Sequence, residues 1–286
     1  MQSIADGRKI GYYLGRKADG GFITPSVFFK ERRNIKMEKI GLQLYTVREY
    51  LNSDREIRTL FEQLKNMGYT EIEPFGAIEN MEAPSRAARE AGLDISGTIS
   101  HLEAYEDRRK TVEFCRKFGI ENLGLSADEF KSADEVKLFI GKTNTLADYL
   151  GKYGIKISYH NHSHEFRKYE NGKTAYEMMI EGFDRNKIGF VLDTYWIQHG
   201  GGDIRHLTER LNGRLTALHM KDMKRIEKNA VTYAAVGEGN LWWDGIIAAA
   251  EEAGAKHFVV EQDECDRDSI ECIRDSAAFL KRYLNK

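Results

Sequence analysis

The chain has 286 residues, 41% of them hydrophobic, enough core for one large barrel or two small domains. Its formal charge is −2, but residues 1–36 carry eight Lys/Arg against three Asp/Glu, which leaves −7 on residues 37–286. An acidic body counts against a nucleic-acid enzyme, whose footprint is basic. No run of about 18 apolar residues offers a transmembrane helix, so no membrane partner is expected. Three cysteines without CxxC spacing (Cys115, Cys265, Cys272) suggest no disulfide framework, and a reducing cytoplasm is expected.

Residues 1–36 show a glycine pair, scattered charge and no sustained period. They read as a short N-terminal extension, disordered or upstream of a natural start at Met37. The alternative is an ordered arm over the barrel floor or a partner subunit. Only three prolines occur and no Gly/Ser-rich linker interrupts the rest, so 37–286 reads as one catalytic domain.

From residue 39 onward, strand-like and helix-like segments alternate. The spacing predicts a strand over 39–45 and a helix over 54–67, then a strand over 70–75 and a short helix over 83–91. Strand three is expected over 93–100 with a helix over 108–118, and strand four over 121–126 with a long helix over 133–153. Strand five spans 155–160, followed by a helix over 174–181. Strand six spans 187–193, followed by a helix over 204–211. Strand seven spans 214–220 with a helix over 242–253, and strand eight spans 256–262 with a last helix over 268–284. Glycines 68, 92, 119, 154 and 254 each punctuate the passage from helix to strand. Repeated βα units require a parallel sheet, and eight of them in about 250 residues predict a single (β/α)8 TIM barrel. An open doubly wound sheet normally carries a Gly-rich phosphate loop, and neither GxGxxG nor GxxxxGK[ST] occurs.

Chemistry in such a barrel gathers at the C-terminal strand ends. His101, His160, His162, His164, His199 and His219 stand at or just after predicted strand ends; only His206 and His257 do not. Asp193 and Glu261 close strands six and eight behind the apolar runs 188–192 and 258–260. Imidazoles and carboxylates on one rim make a metal site, and His160, Asp193, His219 and Glu261 are the expected ligands of one divalent ion: Mn, Co, Zn, Fe or Mg. His162 lies on the same strand face as His160 and could replace it. The plainer alternatives are a capping Asp193, a hydrogen-bonded core His219 and a salt-bridged Glu261.

The segments YHNHSHEF (159–166), GFVLDTYW (189–196), GGGD (200–203), LHMKD (218–222), VGEG (236–239) and VVEQ (259–262) resemble the xylose-isomerase-like superfamily of sugar phosphate isomerases and epimerases. The resemblance covers essentially 37–286. It implies one metal held by Glu, Asp, His and Glu from strands five to eight, with Asp193, His219 and Glu261 as the last three. His160 stands where many relatives have the first glutamate. Epimerases of this kind place two metal-bound glutamates on opposite faces of the sugar, so the departure bears on the reaction. Glu165, from the following loop, is the candidate to replace the missing base. A histidine here also resembles the inosose dehydratase branch, which removes water beside a ketone.

The resemblance therefore implies a metal-dependent sugar isomerase or epimerase working through an enediolate, with a lyase as the alternative outcome. Glu261 is expected as base or base-supporting ligand. Lys221 is expected to stabilise the enediolate oxygen or hold an anionic group. Glu73, His101 and His162 are expected to bind sugar hydroxyls, and Trp196 and Tyr45 to form an apolar wall against the sugar. The partner is a small-molecule sugar, with a homo-oligomer as a further expectation. An endonuclease of the same superfamily is disfavoured by the acidic body, and a non-catalytic sugar-binding barrel remains as a third class.

Overall fold

Eight β-strand positions, most of their residues buried, pair in parallel and wrap into one barrel in the computed structural model, which describes residues 37–284. The expectation for residues 1–36 lies outside the described residues. Strands β1 (Gly41–Gln43), β2 (Glu71–Glu73), β3 (Asp94–Ile95), β4 (Thr98–His101), β5 (Asn122–Ser126), β6 (Lys156–His160), β7 (Ile188–Asp193) and β8 (Leu215–Met220) follow in chain order. A hairpin of β9 (Asp222–Arg225) and β10 (Val231–Ala234) comes next, and β11 (His257–Val260) is last. The sheet order is β3-β2-β1-β11-β8-β7-β6-β5-β4, and a parallel bridge between Phe75 and Ile99 joins its ends.

The expected third strand is split. Its first half, β3, pairs with β2, and its second half, β4, pairs with β5. Ser96 and Gly97 form the break, and Ser96 gives its N–H and its hydroxyl to the Ile72 carbonyl. β3 continues the pairing with β2, while β4 pairs with β5 and meets the chain just past β2 through the Phe75–Ile99 bridge, so this split strand is the barrel's seam.

The helices are α1 (Asp54–Met67), α2 (Ile78–Ala91), α3 (Arg108–Phe118), α4 (Ala133–Gly151), α5 (Ala175–Gly182), α6 (Thr194–His199), α7 (Ile204–Arg210), α8 (Trp243–Ala253) and α9 (Ser269–Leu280). They form for local reasons. In α1, Ile57, Leu60, Phe61 and Leu64 recur at helical spacing and bury one face. Ser53 caps its first turn, and Gly68 ends it at φ +101°, where its N–H reaches the Leu64 and Lys65 carbonyls. Gly92, Gly119 and Gly254 close α2, α3 and α8 in the same left-handed way. Two elements were not expected: α6, directly after β7, and the β9–β10 hairpin. Helix α2 also begins earlier than its spacing indicated, because Pro84 is accommodated within it.

One feature of the sheet decides how the site is built. Phe190 pairs with Leu215, but Val191 pairs with Ala217, so Thr216 is an extra residue on β8. Without it, the register would place Leu218 beside Asp193. With it, His219 stands there.

The core is continuous from the barrel interior to the helix layer and is large and apolar. Met37 is buried against the C-terminal end, its N–H bonded to the Tyr283 carbonyl. Among the described residues, no helix is long and apolar enough to cross a membrane.

Candidate metal centre

Alternation along each strand turns every second side chain inward, so the last inward residue of a strand sits at the barrel mouth. At β6, β7, β8 and just past β11 those residues are His160, Asp193, His219 and Glu261. All four are buried, and one donor atom from each lies within 4.8 Å of the others. His219 is the hub. Its Nδ1 lies 2.7 Å from Glu261 Oε2, and its ring is 4.7 Å from that of His160. Asp193 uses Oδ1 to accept the Trp196 N–H, which starts α6 and fixes the carboxylate.

Lys221 is buried at the same mouth. Its ammonium lies 3.1 Å from Asp193 Oδ2, 3.1 Å from Glu261 Oε2 and 2.9 Å from Asp263 Oδ1. It also stands 5.4 Å from the centre of the Trp196 ring. Three carboxylates around one ammonium balance much of the charge that burial would otherwise penalise.

The electrostatics follow from this crowding. Burial works to lower the His219 imidazole, but the Glu73 and Glu261 carboxylates outweigh it and hold the group up to about 10. Burial alone would raise Glu261; the Lys221 and His219 charges instead hold it well below the usual carboxylate range. Asp193 is pushed up to about 7 by burial, with Lys221 opposing. Burial, with the positive charge of His219 beside it, keeps His160 well below 6.5. Burial and the Lys221 charge bring His162 down to about 4. Lys221 stays protonated because Asp193, Glu261 and Asp263 overcome its own burial.

The donor set accommodates a divalent ion. Buried His160 Nδ1 has no hydrogen-bond partner, and Asp193 Oδ2 faces Lys221 without a hydrogen bond of its own. Two imidazoles and two carboxylates converging in one buried space satisfy a metal of intermediate hardness. This group can therefore hold a metal ion.

The remaining expected residues fall into place unevenly. His162 follows β6 with its ring 5.0 Å from His160 and 5.6 Å from Trp196, and its buried Nδ1 has no partner. Trp196 stands beside it, edge-to-face with Tyr195. Tyr45 is 37% exposed at the rim, packed edge-on against Phe75 and covered by Arg48. His101 ends β4 in an exposed position, outside the buried group.

Two expected site residues are engaged by other partners. Glu165 does not offer a base to the mouth. Both its oxygens accept the His162 N–H, at 3.0 and 2.9 Å, and Oε1 also accepts the Tyr159 hydroxyl at 2.7 Å. Tyr159 points away from His160, toward Phe139 and Phe183 under the helices, and Glu165 follows it there. Its part is to anchor the loop after β6. Glu73 is not free for a sugar hydroxyl either: it is 3% exposed, with Oε2 2.7 Å from His219 Nε2 and accepting from Gln43 Nε2 at 2.8 Å.

Three residues escaped the sequence reading. Gln43 supports Glu73, Asp263 pairs with Lys221, and Asp222 organises the loop beyond β8. Buried Asp222 accepts the N–H groups of Met223, Gly237, Gly239 and Leu241 and the Trp243 indole N–H. Gly239 comes so close that any Cβ would overlap the Asp222 carboxylate. The LHMKD and VGEG segments carried that signal as a pair, an acid facing a glycine turn.

Residues 61–283 match the model of the xylose isomerase-like TIM barrel family. The chain belongs to that family. Among solved structures, it is similar to a sugar phosphate isomerase/epimerase from Parabacteroides distasonis, with 25% identity, a TM-score of 0.68 and coverage of 92% of this chain and 99% of that one. It is similar in fold to the probable 3-DHS dehydratase AsbF of petrobactin synthesis from Bacillus anthracis, with 13% identity, a TM-score of 0.67 and coverage of 85% and 98%. It is likewise similar in fold to the IolI protein with a bound zinc atom, with 16% identity, a TM-score of 0.66 and coverage of 86% and 98%. No protein of curated function matches the sequence. The fold and the family are thus those of the xylose isomerase-like TIM barrels.

The low-lying His162 has a measurable consequence for the metal-free protein. An imidazole that titrates near 6.5 when unfolded and near 4 when folded binds its proton more readily in the unfolded chain. Its contribution to stability is complete above pH 6.5 and is lost as pH falls from 6.5 toward 4. Asp193, shifted upward, works in the opposite sense over part of that window. The test is therefore the difference between wild type and His162→Gln in urea unfolding with chelator present. That difference is expected to change by about 2–3 kcal/mol between pH 7 and pH 4.5 in favour of the variant at acid pH. A pH-independent difference would show that His162 titrates normally.

Proposed function

We propose that the protein is a divalent-metal-dependent sugar isomerase or epimerase, with His160, Asp193, His219 and Glu261 as ligands and an enediolate as the intermediate. The observation that carries this reading is the buried convergence of the four donors within 4.8 Å at the C-terminal mouth of the barrel. The 25% identity to a sugar phosphate isomerase/epimerase over nearly the whole chain supports it. A bound divalent ion would supply Lewis-acid polarisation of a sugar carbonyl and acidify the neighbouring C–H.

The chain's own groups then have definite parts. Glu261, kept ionised by Lys221 and His219, accepts the proton from the carbon beside the carbonyl. The Lys221 ammonium lies in the same pocket and faces negative charge developing on the enediolate oxygen. His162, neutral at physiological pH, bonds a sugar hydroxyl through its unpartnered Nδ1. Trp196 offers its ring face to the sugar's C–H surface. Return of the proton to the former carbonyl carbon, with the hydroxyl proton passing between the two oxygens, gives the isomer; return to the same carbon from the other face gives the epimer.

A dehydratase is the second reading, and one observation favours it. On the β6 side of the mouth stand His160 and His162, while Glu165 is held under the loop. Among the described residues, the β6 side of the mouth therefore offers imidazoles where an exchange between two opposed carboxylates would need a carboxylate. Loss of a β-hydroxyl needs one base and one acid, which Glu261 and the protonated Lys221 supply.

Heavy water separates the outcomes. Metal-loaded protein incubated with a panel of ketoses and keto-inositols is expected to place deuterium on the carbon beside the carbonyl, and chelator is expected to suppress this. A rearranged sugar identifies the isomerase or epimerase, and an unsaturated product identifies the lyase. Metal-loaded protein that exchanges no such proton in any of them would sink the enediolate reading.

A further inference from the structure

We propose that Glu73 is a positioning residue of this centre: it holds His219 through Nε2, so that Nδ1 is the nitrogen turned toward the ion, and Gln43 fixes Glu73 in turn. The inference rests on the metal reading above.

A histidine ligand commonly gives one nitrogen to the metal and the other N–H to a carboxylate, which sets the ring's tautomer and direction. His219 is buried between two carboxylates, with Glu261 2.7 Å from Nδ1 and Glu73 2.7 Å from Nε2. Only Glu261 belongs to the converging donors; Glu73 does not. Two donors on one ion stand about 3 Å apart, given bonds of about 2.1 Å. Nδ1 and Glu261 Oε2 already lie close to that spacing. An ion on Nε2 would sit beside Glu73 instead, away from Glu261.

Glu73 reaches His219 from the far side of the mouth, since β1 and β11 lie between β2 and β8. That reach is built. Gln43 pairs with Glu73 in the register of β1 and β2, so the two side chains leave the same face. Gln43 Oε1 accepts the Tyr45 N–H at 3.1 Å, which leaves its amide Nε2 as the donor to Glu73. Gln43 is itself buried. The chain of contacts therefore runs from the Tyr45 backbone through Gln43 and Glu73 to His219. The Nε2–H is not aligned on Glu73 as in a straight hydrogen bond, so the carboxylate holds the ring through electrostatic attraction to that N–H at 2.7 Å. A buried carboxylate needs partners, and Glu73 finds them in His219 and Gln43.

The test measures ion binding directly. Zn²⁺ affinity of the full chain is read by competition with a chromophoric chelator, for wild type, Glu73→Gln, Glu73→Ala and Gln43→Ala. Wild type is expected to bind one ion, and Glu73→Ala to bind about 10–100-fold more weakly. Glu73→Gln keeps shape and an acceptor oxygen, so its loss is expected to be smaller; it carries the test if the alanine variant does not fold. Gln43→Ala is expected to lose least, since it acts through Glu73. Long-range ¹⁵N–¹H spectra of the zinc-loaded wild type are expected to show His219 metallated at Nδ1 and protonated at Nε2. Metallation at Nε2 overturns the inference. So do Glu73 variants that bind zinc as tightly as wild type while KM for sugar rises, because Glu73 would then be a substrate ligand. Wild type that binds no ion overturns the metal reading itself, a result distinct from these.

Discussion

Glu261→Gln is expected to lower enediolate formation by about 10³-fold, because the substitution removes the proposed base and leaves an amide of nearly the same shape. Glu261 is the carboxylate on which His219 and Lys221 both converge, through the same Oε2 atom. In wild type these two positive charges keep it ionised throughout the neutral range. An amide cannot accept the proton at any pH, so the loss should appear in turnover across the whole profile. The measurement is deuterium exchange at saturating metal, with metal content determined on the same sample. Loss of exchange with metal retained assigns Glu261 to proton transfer. Loss of both assigns it to holding the ion. Wild-type exchange with wild-type metal content would remove it from the site altogether.

Asp222→Ala is expected to destabilise the metal-free protein by about 3–5 kcal/mol. Asp222 is buried and gathers five N–H groups from the chain between β9 and the first residue of α8. Its removal leaves those donors without an acceptor in a space too closed for free solvation. The neighbouring residue is Lys221, so release of this loop also loosens the ammonium that faces Asp193, Glu261 and Asp263. Urea unfolding measures the stability loss, and limited proteolysis within 223–242 reports where the chain opens. A loss under about 1 kcal/mol would mean that the turn is held by its backbone alone. Asp222→Asn keeps one acceptor oxygen and should fall between the two.

Local periodicity made much of this protein legible from its residues. Eight apolar strand runs, separated by helical spacing and closing glycines, are enough to read a parallel barrel, because each βα unit needs its neighbours to bury both sheet faces. Once the strands are placed, their polar ends are placed too. Asp193, His219 and Glu261 could be read as one rim because each is the first polar inward residue after an apolar run. His160 stands at the end of β6 behind the polar Ser158 rather than an apolar run, and the structure brings it within the same 4.8 Å group.

Partners across the barrel depended on tertiary structure. The extra residue Thr216 sets the β7–β8 register that places His219 beside Asp193, and no local pattern announces such a shift. Glu73 and Glu165 look alike in sequence, each a carboxylate near a strand end. Folding sends Glu73 across the mouth to His219 and Glu165 back beneath its own loop to Tyr159. The difference lies in which face of the strand each follows and in which donors wait there. Alternation along the chain fixes which side chains point inward; barrel closure and register fix what each one meets, because those contacts join residues far apart in sequence.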